Sequence, residues 1–199
     1  MTAEMTALPD EQFLLLNALW LRKMATRGTM EENAGLSAAA AESCLRSAAD
    51  HQLVRVMGDY YVLTDSGRRA VLDHYDSEFA SLRGDPELLA WYERFEGYNA
   101  RFLELMSAWQ TEADEAKERT YARLARIVER HVEALAGAAR WIPRYSHYAA
   151  RFERSLEHVD SGRSDYVSSP MVDSLHNTWF EFHEDLLAVL GRPRESLED

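Results

Sequence analysis

Four polar side chains near the carboxyl end of the chain have the types and spacing that acid–base chemistry requires. Asp173 and His176 are three residues apart, and the adjacent pair His183 and Glu184 follows two helical turns later. On one helix Asp173 and His176 can touch, whereas the two histidines lie about 10 Å apart, too far to share a metal ion unaided. An imidazole beside a carboxylate can move a proton or bind a phosphate or phenol oxygen. His176, His183 and Glu184 are therefore the candidate catalytic residues, and no metal site is expected.

Asn99 and His131 each take one position in a row of apolar residues spaced three and four apart. Such positions share one face of a helix, so both polar side chains are predicted to point into a helical core. There they would meet the last helix and line an aromatic pocket. The predicted contacts to a small ligand are Asn99, Trp109, His131, Asp173 and Trp179. The alternative is a polar seam whose members only satisfy one another.

The elements that must position these side chains are four amphipathic helices, predicted after the turn signal Gly84-Asp85-Pro86. The last of them is predicted to start at Ser169-Pro170. Four such helices favour an antiparallel bundle over residues 84–199. Four arginines near the third helix of this bundle are predicted to form a solvated face or, alternatively, to meet an anionic ligand or an acidic partner. They are Arg140, Arg144, Arg151 and Arg154.

Residues 1–83 contain shorter elements. A helix is predicted over 10–27, a short helix follows Thr29, and Ser37 can cap a third helix over 38–51. Two β-rich runs flank Gly58-Asp59, which predicts a hairpin over 54–63. A further helix follows, and this order is that of a winged helix-turn-helix. The predicted fold class is therefore mainly α, with an N-terminal winged helix-turn-helix that carries a small β-hairpin, followed by an antiparallel helical bundle.

In a winged helix, the third helix enters the major groove of DNA and needs cationic side chains there. In this chain that helix is the one predicted over 38–51. Arg46 is its only Arg or Lys, and Arg55 and Arg68 are the other candidate DNA contacts. Residues 1–76 carry 11 acidic against 7 basic side chains, whereas DNA-binding modules are usually basic. The fold therefore favours DNA binding, the charge opposes it, and docking on another protein is the alternative.

Composition narrows the class and location of the protein. The chain has 199 residues, a formal net charge of -12 and a single cysteine, Cys44, so no internal disulfide framework is possible. No apolar run approaches the ~18 residues of a membrane span, and the first ten residues lack the pattern of an export signal. We expect a soluble, cytoplasmic protein that binds no membrane. Its acidity argues against loose, charge-driven binding to nucleic acid.

Two stretches resemble known families. Residues 61–68, Tyr-Val-Leu-Thr-Asp-Ser-Gly-Arg, are similar to the end of the wing in MarR-like and PadR-like winged helices. Residues 169–186, which contain Val-Asp-Ser-Leu-His-Asn-Thr-Trp-Phe-Glu-Phe-His-Glu-Asp-Leu, resemble a winged-helix-plus-bundle module associated with enzymes related to pyruvate phosphate dikinase and phosphoenolpyruvate synthase. That module has Tyr where this chain has Leu175.

The second resemblance implies an accessory or substrate-binding subunit of a dikinase-type phosphotransferase. The chain has no P-loop and no Gly-rich phosphate loop. We therefore expect ATP and magnesium on a larger nucleotide-binding kinase subunit, while this chain binds no cofactor and holds a small acceptor, a phenol or other aromatic molecule or a ketone, in its aromatic pocket. The first resemblance implies instead a transcriptional regulator whose bundle binds a ligand or forms a homodimer, and only in that case would DNA be a partner.

Overall fold

Helices dominate the structure, as the hydrophobic periodicity predicts. The computed structural model describes residues 8–193. The elements of the first part are α1 Asp10–Arg22, β1 Met24–Thr26, α2 Arg27–Ala34, α3 Ala38–Asp50, β2 Val54–Met57, β3 Tyr60–Leu63 and α4 Asp65–Glu78, followed by a 3₁₀ turn at Ala80–Leu82. Those of the second part are α5 Pro86–Thr111, α6 Asp114–Ala138, α7 Tyr145–Asp160, α8 Asp165–Ser168 and α9 Leu175–Val189. Within the described part, no helix is both long and apolar enough to cross a membrane.

The chain divides into two compact units. The first, called the sheet unit here, comprises the described residues 8–83 and 184–193. The second, called the helical unit, comprises residues 84–183. The boundary near the carboxyl end falls inside α9, between His183 and Glu184.

The sheet unit combines helices with a small antiparallel sheet in the order β1-β3-β2. The predicted hairpin is confirmed: Val54 pairs with Leu63, and Gly58 adopts a φ of 65°, as a two-residue hairpin turn requires. The prediction for α1 was too long, because Met24–Thr26 leave the helix and pair with β3. Lys23, with a φ of 68°, makes the reversal between the helix and this strand.

Gly67 marks a close backbone approach inside the sheet unit. It lies in the first turn of α4, which Thr64 caps by accepting a hydrogen bond from the Gly67 amide at 3.0 Å. A Cβ atom at Gly67 would stand 2.0 Å from the carbonyl oxygen of Leu53. Only glycine lets α4 start so close to the chain that leads into β2.

A buried polar triad fixes the core of the sheet unit. The Tyr75 hydroxyl lies within hydrogen-bond distance of Asn17 Oδ1 at 2.8 Å and of Asp185 Oδ1 at 3.0 Å. Asn17 Nδ2 donates to Asp185 Oδ2 at 3.4 Å. All three side chains are buried, so their mutual hydrogen bonds offset the loss of water.

The helical unit is built on two long helices. Asp85 caps α5 by accepting from the amides of Glu87 and Leu88, and Pro86 occupies the first turn. Helix α6 packs against both α5 and α7. The last helix begins at Leu175, later than the predicted start at Ser169-Pro170, because residues 169–174 form turns. Asp173 therefore lies outside the helix that was expected to carry it beside His176.

Candidate functional site

His131, on α6, is enclosed by aromatic rings inside the helical unit. We call this set the aromatic cage, and its rings are Trp91, Phe95, Phe152, Trp179 and Phe182. The nearest ring centroid, that of Trp179, lies 4.7 Å from the imidazole, and the farthest, that of Trp91, lies 6.3 Å away. His131 has no exposed surface. The predicted inward direction of this side chain is therefore confirmed.

The imidazole of His131 has no hydrogen-bond partner among the residues that the structure describes. Within residues 8–193, no group lies within hydrogen-bond distance of its Nδ1 or Nε2 atom. Burial among rings disfavours the charged form and lowers the pKa of His131 to about 3. At neutral pH the side chain is an uncharged imidazole with one N–H donor and one acceptor nitrogen.

A cavity of about 260 Å³ adjoins the aromatic cage between α5 and α6. Its lining residues are Trp91, Arg94, Phe95, Tyr98, His131, Glu133, Ala134 and Gly137. The Trp91 indole N–H donates to the Ala134 carbonyl at 3.2 Å and joins the two helices at this wall. Two exposed charges of opposite sign, Arg94 and Glu133, line the same cavity. The inner wall is aromatic. Among the described residues that line it, His131 is the one whose ring nitrogens have no hydrogen-bond partner.

The structure brings three of the predicted pocket residues together. Asn99 is buried on α5 and accepts the indole hydrogen bond of Trp179 at 3.0 Å. Trp179 in turn lies against the His131 ring. Trp109 lies about 15 Å further along α5 than Asn99, and the Lys117 ammonium is 5.7 Å from its ring centre. The structure thus places Asn99, His131 and Trp179 in one group and Trp109 outside it.

The candidate catalytic residues on α9 have different surroundings. His183 Nε2 lies 3.2 Å from Glu96 Oε1 of α5, and its ring centroid lies 5.3 Å from Phe95. His176 is half-buried in the first turn of α9. Glu184 is half-buried and belongs to the sheet unit. The carboxylate beside His183 is therefore Glu96, which the sequence pattern did not single out.

Asp173 is held by an arginine. We call Arg151, Asp173 and Glu181 the arginine cluster. The Arg151 guanidinium donates to both Asp173 oxygens, at 2.9 and 2.7 Å, and to Glu181 Oε2 at 2.6 Å. The Ser155 hydroxyl donates to the Asp173 carbonyl at 2.6 Å. Burial alone would lower the pKa of Arg151, but the two facing carboxylates outweigh it and raise that pKa.

The predicted solvated position of Arg151 is wrong, because this side chain is only 2% exposed. Of the other three arginines predicted there, Arg140 and Arg154 are exposed and Arg144 is half-buried. Asp173 is therefore occupied by a bidentate ion pair, and the geometry gives it a positioning role in the turn before α9.

The basic side chains of the sheet unit are exposed but do not form a cationic third helix. Arg46 on α3 lies 3.7 Å from Glu42 of the same helix. Arg55 and Arg68 are exposed, and Arg55 lines a shallow groove of about 520 Å³ together with Arg69 and Asp65. Arg46 is thus compensated by Glu42, and Asp50 gives α3 an excess of negative charge, whereas the groove beside its carboxyl end carries two arginines.

Several residues of the site could not be identified from spacing alone. Tyr98 and Arg94 lie on the borders of the apolar row on α5, so their place in the cavity depends on how α6 packs there. Glu96 and Glu181 have polar neighbours on other helices, and the register between helices decides those pairs. The interruption of an apolar row by His131 was the informative signal.

Among the described residues, no three His, Cys, Asp or Glu side chains are grouped closely enough to hold a metal ion. Comparison of this chain with known protein families, with curated proteins and with solved structures found no match.

Proposed function

We propose that this chain is an accessory subunit of a dikinase-type phosphotransferase and that its helical unit holds the small acceptor. His131 carries the proposal, because it is fully buried, has no described hydrogen-bond partner and adjoins a cavity of about 260 Å³. An unpaired buried polar group costs about 1–3 kcal/mol, so the two ring nitrogens of His131 oppose folding unless another group binds them. A role in ligand binding accounts for the presence of this residue.

The two histidines near Phe95 would have different tasks in the transfer. When a phosphoryl group moves to an acceptor hydroxyl, the oxygen–phosphorus bond forms, the bond from phosphorus to the donor breaks, and the hydroxyl proton needs a base. With a pKa of about 3, His131 is too weak a base and serves to bind. His183, with its Nε2 atom 3.2 Å from the Glu96 carboxylate, is the better candidate base. Phe95 lies 5.3 Å from both imidazoles.

The sheet unit would dock on the larger kinase subunit, which carries ATP and magnesium. Its order of elements, α1-β1-α2-α3-β2-β3-α4 with one three-stranded antiparallel sheet, supports a winged helix. The compensated charges of Arg46 and Glu42 on α3 favour contact with a protein over contact with phosphates. An acidic chain is complementary to a basic patch on such a partner.

Reconstitution with the larger subunit tests this proposal. The nucleotide-binding protein that co-purifies with the full chain is supplied with ATP, magnesium and a panel of small aromatic alcohols. We expect phosphoryl transfer only when both proteins are present, and His183→Asn should lower turnover by roughly 100-fold, the usual scale for a lost base. His176→Asn, measured alongside, shows whether the second α9 histidine contributes.

The matched control is His147→Asn, which changes a half-buried histidine of α7. It should keep wild-type turnover and the same melting temperature. If the chain co-purifies with no nucleotide-binding protein, or if the folded His183→Asn protein turns over normally, the assignment of the transfer step is wrong.

The second candidate is a winged-helix transcriptional regulator. It is favoured by the groove that Arg55 and Arg69 line beside the end of α3. In that case the free chain should shift its own upstream DNA, and binding should weaken steeply with salt as counterions are released. Arg55→Ala and Arg69→Ala should each reduce the salt dependence, whereas Arg154→Ala in the helical unit should not. The accessory-subunit proposal expects no specific complex at physiological salt.

A further inference from the structure

The cavity of the helical unit has walls that restrict what it can bind. We propose that it takes a single-ring aromatic alcohol without formal charge, whose hydroxyl exchanges a hydrogen bond with the imidazole of His131. This inference rests on the proposed function and deepens it by naming the chemical class of the acceptor.

The size of the cavity sets the size of the ligand. An apolar cavity of about 150 Å³ in a protein core is large enough to hold benzene. The space between α5 and α6 measures about 260 Å³. It therefore accommodates one six-membered ring with one or two small substituents, whereas a nucleotide is too large for it.

The walls of the cavity favour a flat, apolar body. Trp91 and Phe95 come from successive turns of α5 with their rings 2° from parallel and 6.1 Å apart. Tyr98 lines the same space one turn further along the helix. Aromatic rings pack against such surfaces in offset or edge-to-face arrangements, which adds to the burial of apolar area. An aliphatic ligand of equal volume would gain only the burial.

The polar end of the ligand must be uncharged and must form a hydrogen bond. His131 is neutral at physiological pH and offers one donor and one acceptor nitrogen. A carboxylate at the same place would lie beside an uncharged imidazole and aromatic rings, and a buried charge without a partner is strongly disfavoured. A hydroxyl can donate to one imidazole nitrogen or accept from the other. The charges at the cavity, Arg94 and Glu133, are exposed and of opposite sign, so they give no net preference for an anion.

Contact with His131 requires a movement of the wall. His131 has no exposed surface, and Trp91 and Phe95 are 6% and 1% exposed. The hydroxyl therefore reaches the imidazole only when a lining ring rotates. Binding should change the signals of the Trp91 indole N–H as well as those of His131, because the indole donates to the Ala134 carbonyl at this wall.

The experiment compares three probes of similar size on the full chain: phenol, toluene and benzoate. Dissociation constants are measured by NMR titration, with ¹⁵N-labelled histidine to observe the His131 ring nitrogens directly. We expect the wild-type protein to prefer phenol to toluene and to bind benzoate at least about tenfold more weakly than phenol. Phenol, but not toluene, should shift a His131 nitrogen resonance.

The matched variant is His131→Phe, which keeps a ring and removes both nitrogens. It should bind toluene and lower the preference for phenol over toluene by about tenfold, the scale of one lost hydrogen bond. His147→Phe makes the same change outside the cavity and should keep the wild-type preference. If His131→Phe does not fold, the ¹⁵N shifts of the wild-type protein still decide the result.

Three outcomes would overturn the inference: tighter binding of toluene or benzoate than of phenol by the wild-type protein, no response of the His131 nitrogens to phenol, or an unchanged preference in folded His131→Phe. The test also separates the two proposals. Phenol binding without phosphoryl transfer in the reconstituted complex would refute the accessory role and keep the site. Transfer to a non-aromatic acceptor, with no phenol binding, would keep the role and refute the ligand class.

Discussion

The arginine cluster and the aromatic cage are two ways of burying polar atoms within one helical unit. In the cluster, the Nε and Nη2 atoms of Arg151 donate to carboxylate oxygens at 2.6 to 2.9 Å. In the cage, His131 is equally buried, yet no described group lies within hydrogen-bond distance of either ring nitrogen. The first arrangement positions the turn before α9. The second leaves hydrogen-bonding capacity unused, and that is the property a ligand can exploit.

The buried triad of the sheet unit follows the pattern of the arginine cluster. Asn17, Tyr75 and Asp185 bond to one another and are buried. The comparison therefore yields a rule that can be tested. Removing a member of a satisfied cluster should lower the free energy of unfolding, whereas removing the unsatisfied His131 should not.

The largest effect is expected for Arg151→Met. This change leaves the carboxylates of Asp173 and Glu181 facing each other in the core, and breaking a buried ion pair in this way costs about 3–5 kcal/mol. Urea denaturation monitored by tryptophan fluorescence measures the loss. Because Arg151 joins α7 to the turn before α9, we expect the transition of the helical unit to move the most.

The control for this change is Arg154→Met, which removes an exposed arginine one turn later on α7. It should alter the free energy of unfolding by no more than about 0.5 kcal/mol. A second variant, Arg151→Met with Glu181→Leu, should recover part of the loss because only one carboxylate, that of Asp173 with a side chain 18% exposed, then loses its arginine. Equal destabilisation by Arg151→Met and Arg154→Met would show that the cluster is not a structural element.

The sequence predicts the secondary-structure elements well, but it does not predict which polar side chains pair with one another across helices. The hairpin around Gly58 and the inward direction of Asn99 and His131 follow from local spacing, which the chain itself encodes. The partners of Asp173, His183 and Arg151 lie on other helices, so they depend on the register of α5, α7 and α9. An arginine with no acidic residue one turn away looks solvent-exposed, and nothing local reveals that two distant carboxylates meet it.

The predicted end of α1 and the predicted start of α9 were also wrong, and both errors have a physical reason. Strand β1 has three residues, too few to show an alternating pattern, and it forms only because β3 supplies its partner. Proline at position 170 suggested a helix start, but the turns at 169–174 are held instead by Asn177, whose side-chain amide donates to the carbonyls of Ser169 and Val172. In both places tertiary contacts override the local signal.

The next largest effect concerns pH and His131. An unfolded histidine has a pKa of about 6.5, whereas burial lowers the pKa of His131 to about 3. Below pH 6.5 the unfolded chain binds a proton that the folded chain does not, so stability is lost as pH falls from 6.5 towards 3. Between pH 7 and pH 5 this amounts to about 2 kcal/mol.

His131→Phe should remove this part of the pH dependence. Because it also removes two polar atoms without described partners, it should leave the stability at pH 7 unchanged or higher, contrary to Arg151→Met. Urea denaturation at pH 7 and pH 5 gives both values. His147→Phe serves as the reference for replacing a histidine outside the cage. If His131→Phe lowers stability at pH 7 by more than His147→Phe does, the imidazole is a structural group and the contrast with the arginine cluster fails.

The smallest effect is expected for Tyr75→Phe in the sheet unit. The change removes a hydroxyl that lies 2.8 Å from Asn17 Oδ1 and 3.0 Å from Asp185 Oδ1, and it leaves the ring in place. Losing this donor should cost about 1–2 kcal/mol, less than Arg151→Met because no charge loses a cationic partner.

Tyr60→Phe, at an exposed position of β3, is the control and should change stability by less than about 0.5 kcal/mol. Phenol affinity provides the second readout. Tyr75→Phe, a change within a satisfied cluster, should lower the free energy of unfolding and leave the dissociation constant for phenol unchanged. His131→Phe should weaken phenol binding and leave the free energy of unfolding at pH 7 unchanged or higher. Should Tyr75→Phe weaken phenol binding as strongly as His131→Phe does at equal folded fraction, hydrogen-bond satisfaction would not separate structural from ligand-binding polar groups in this protein.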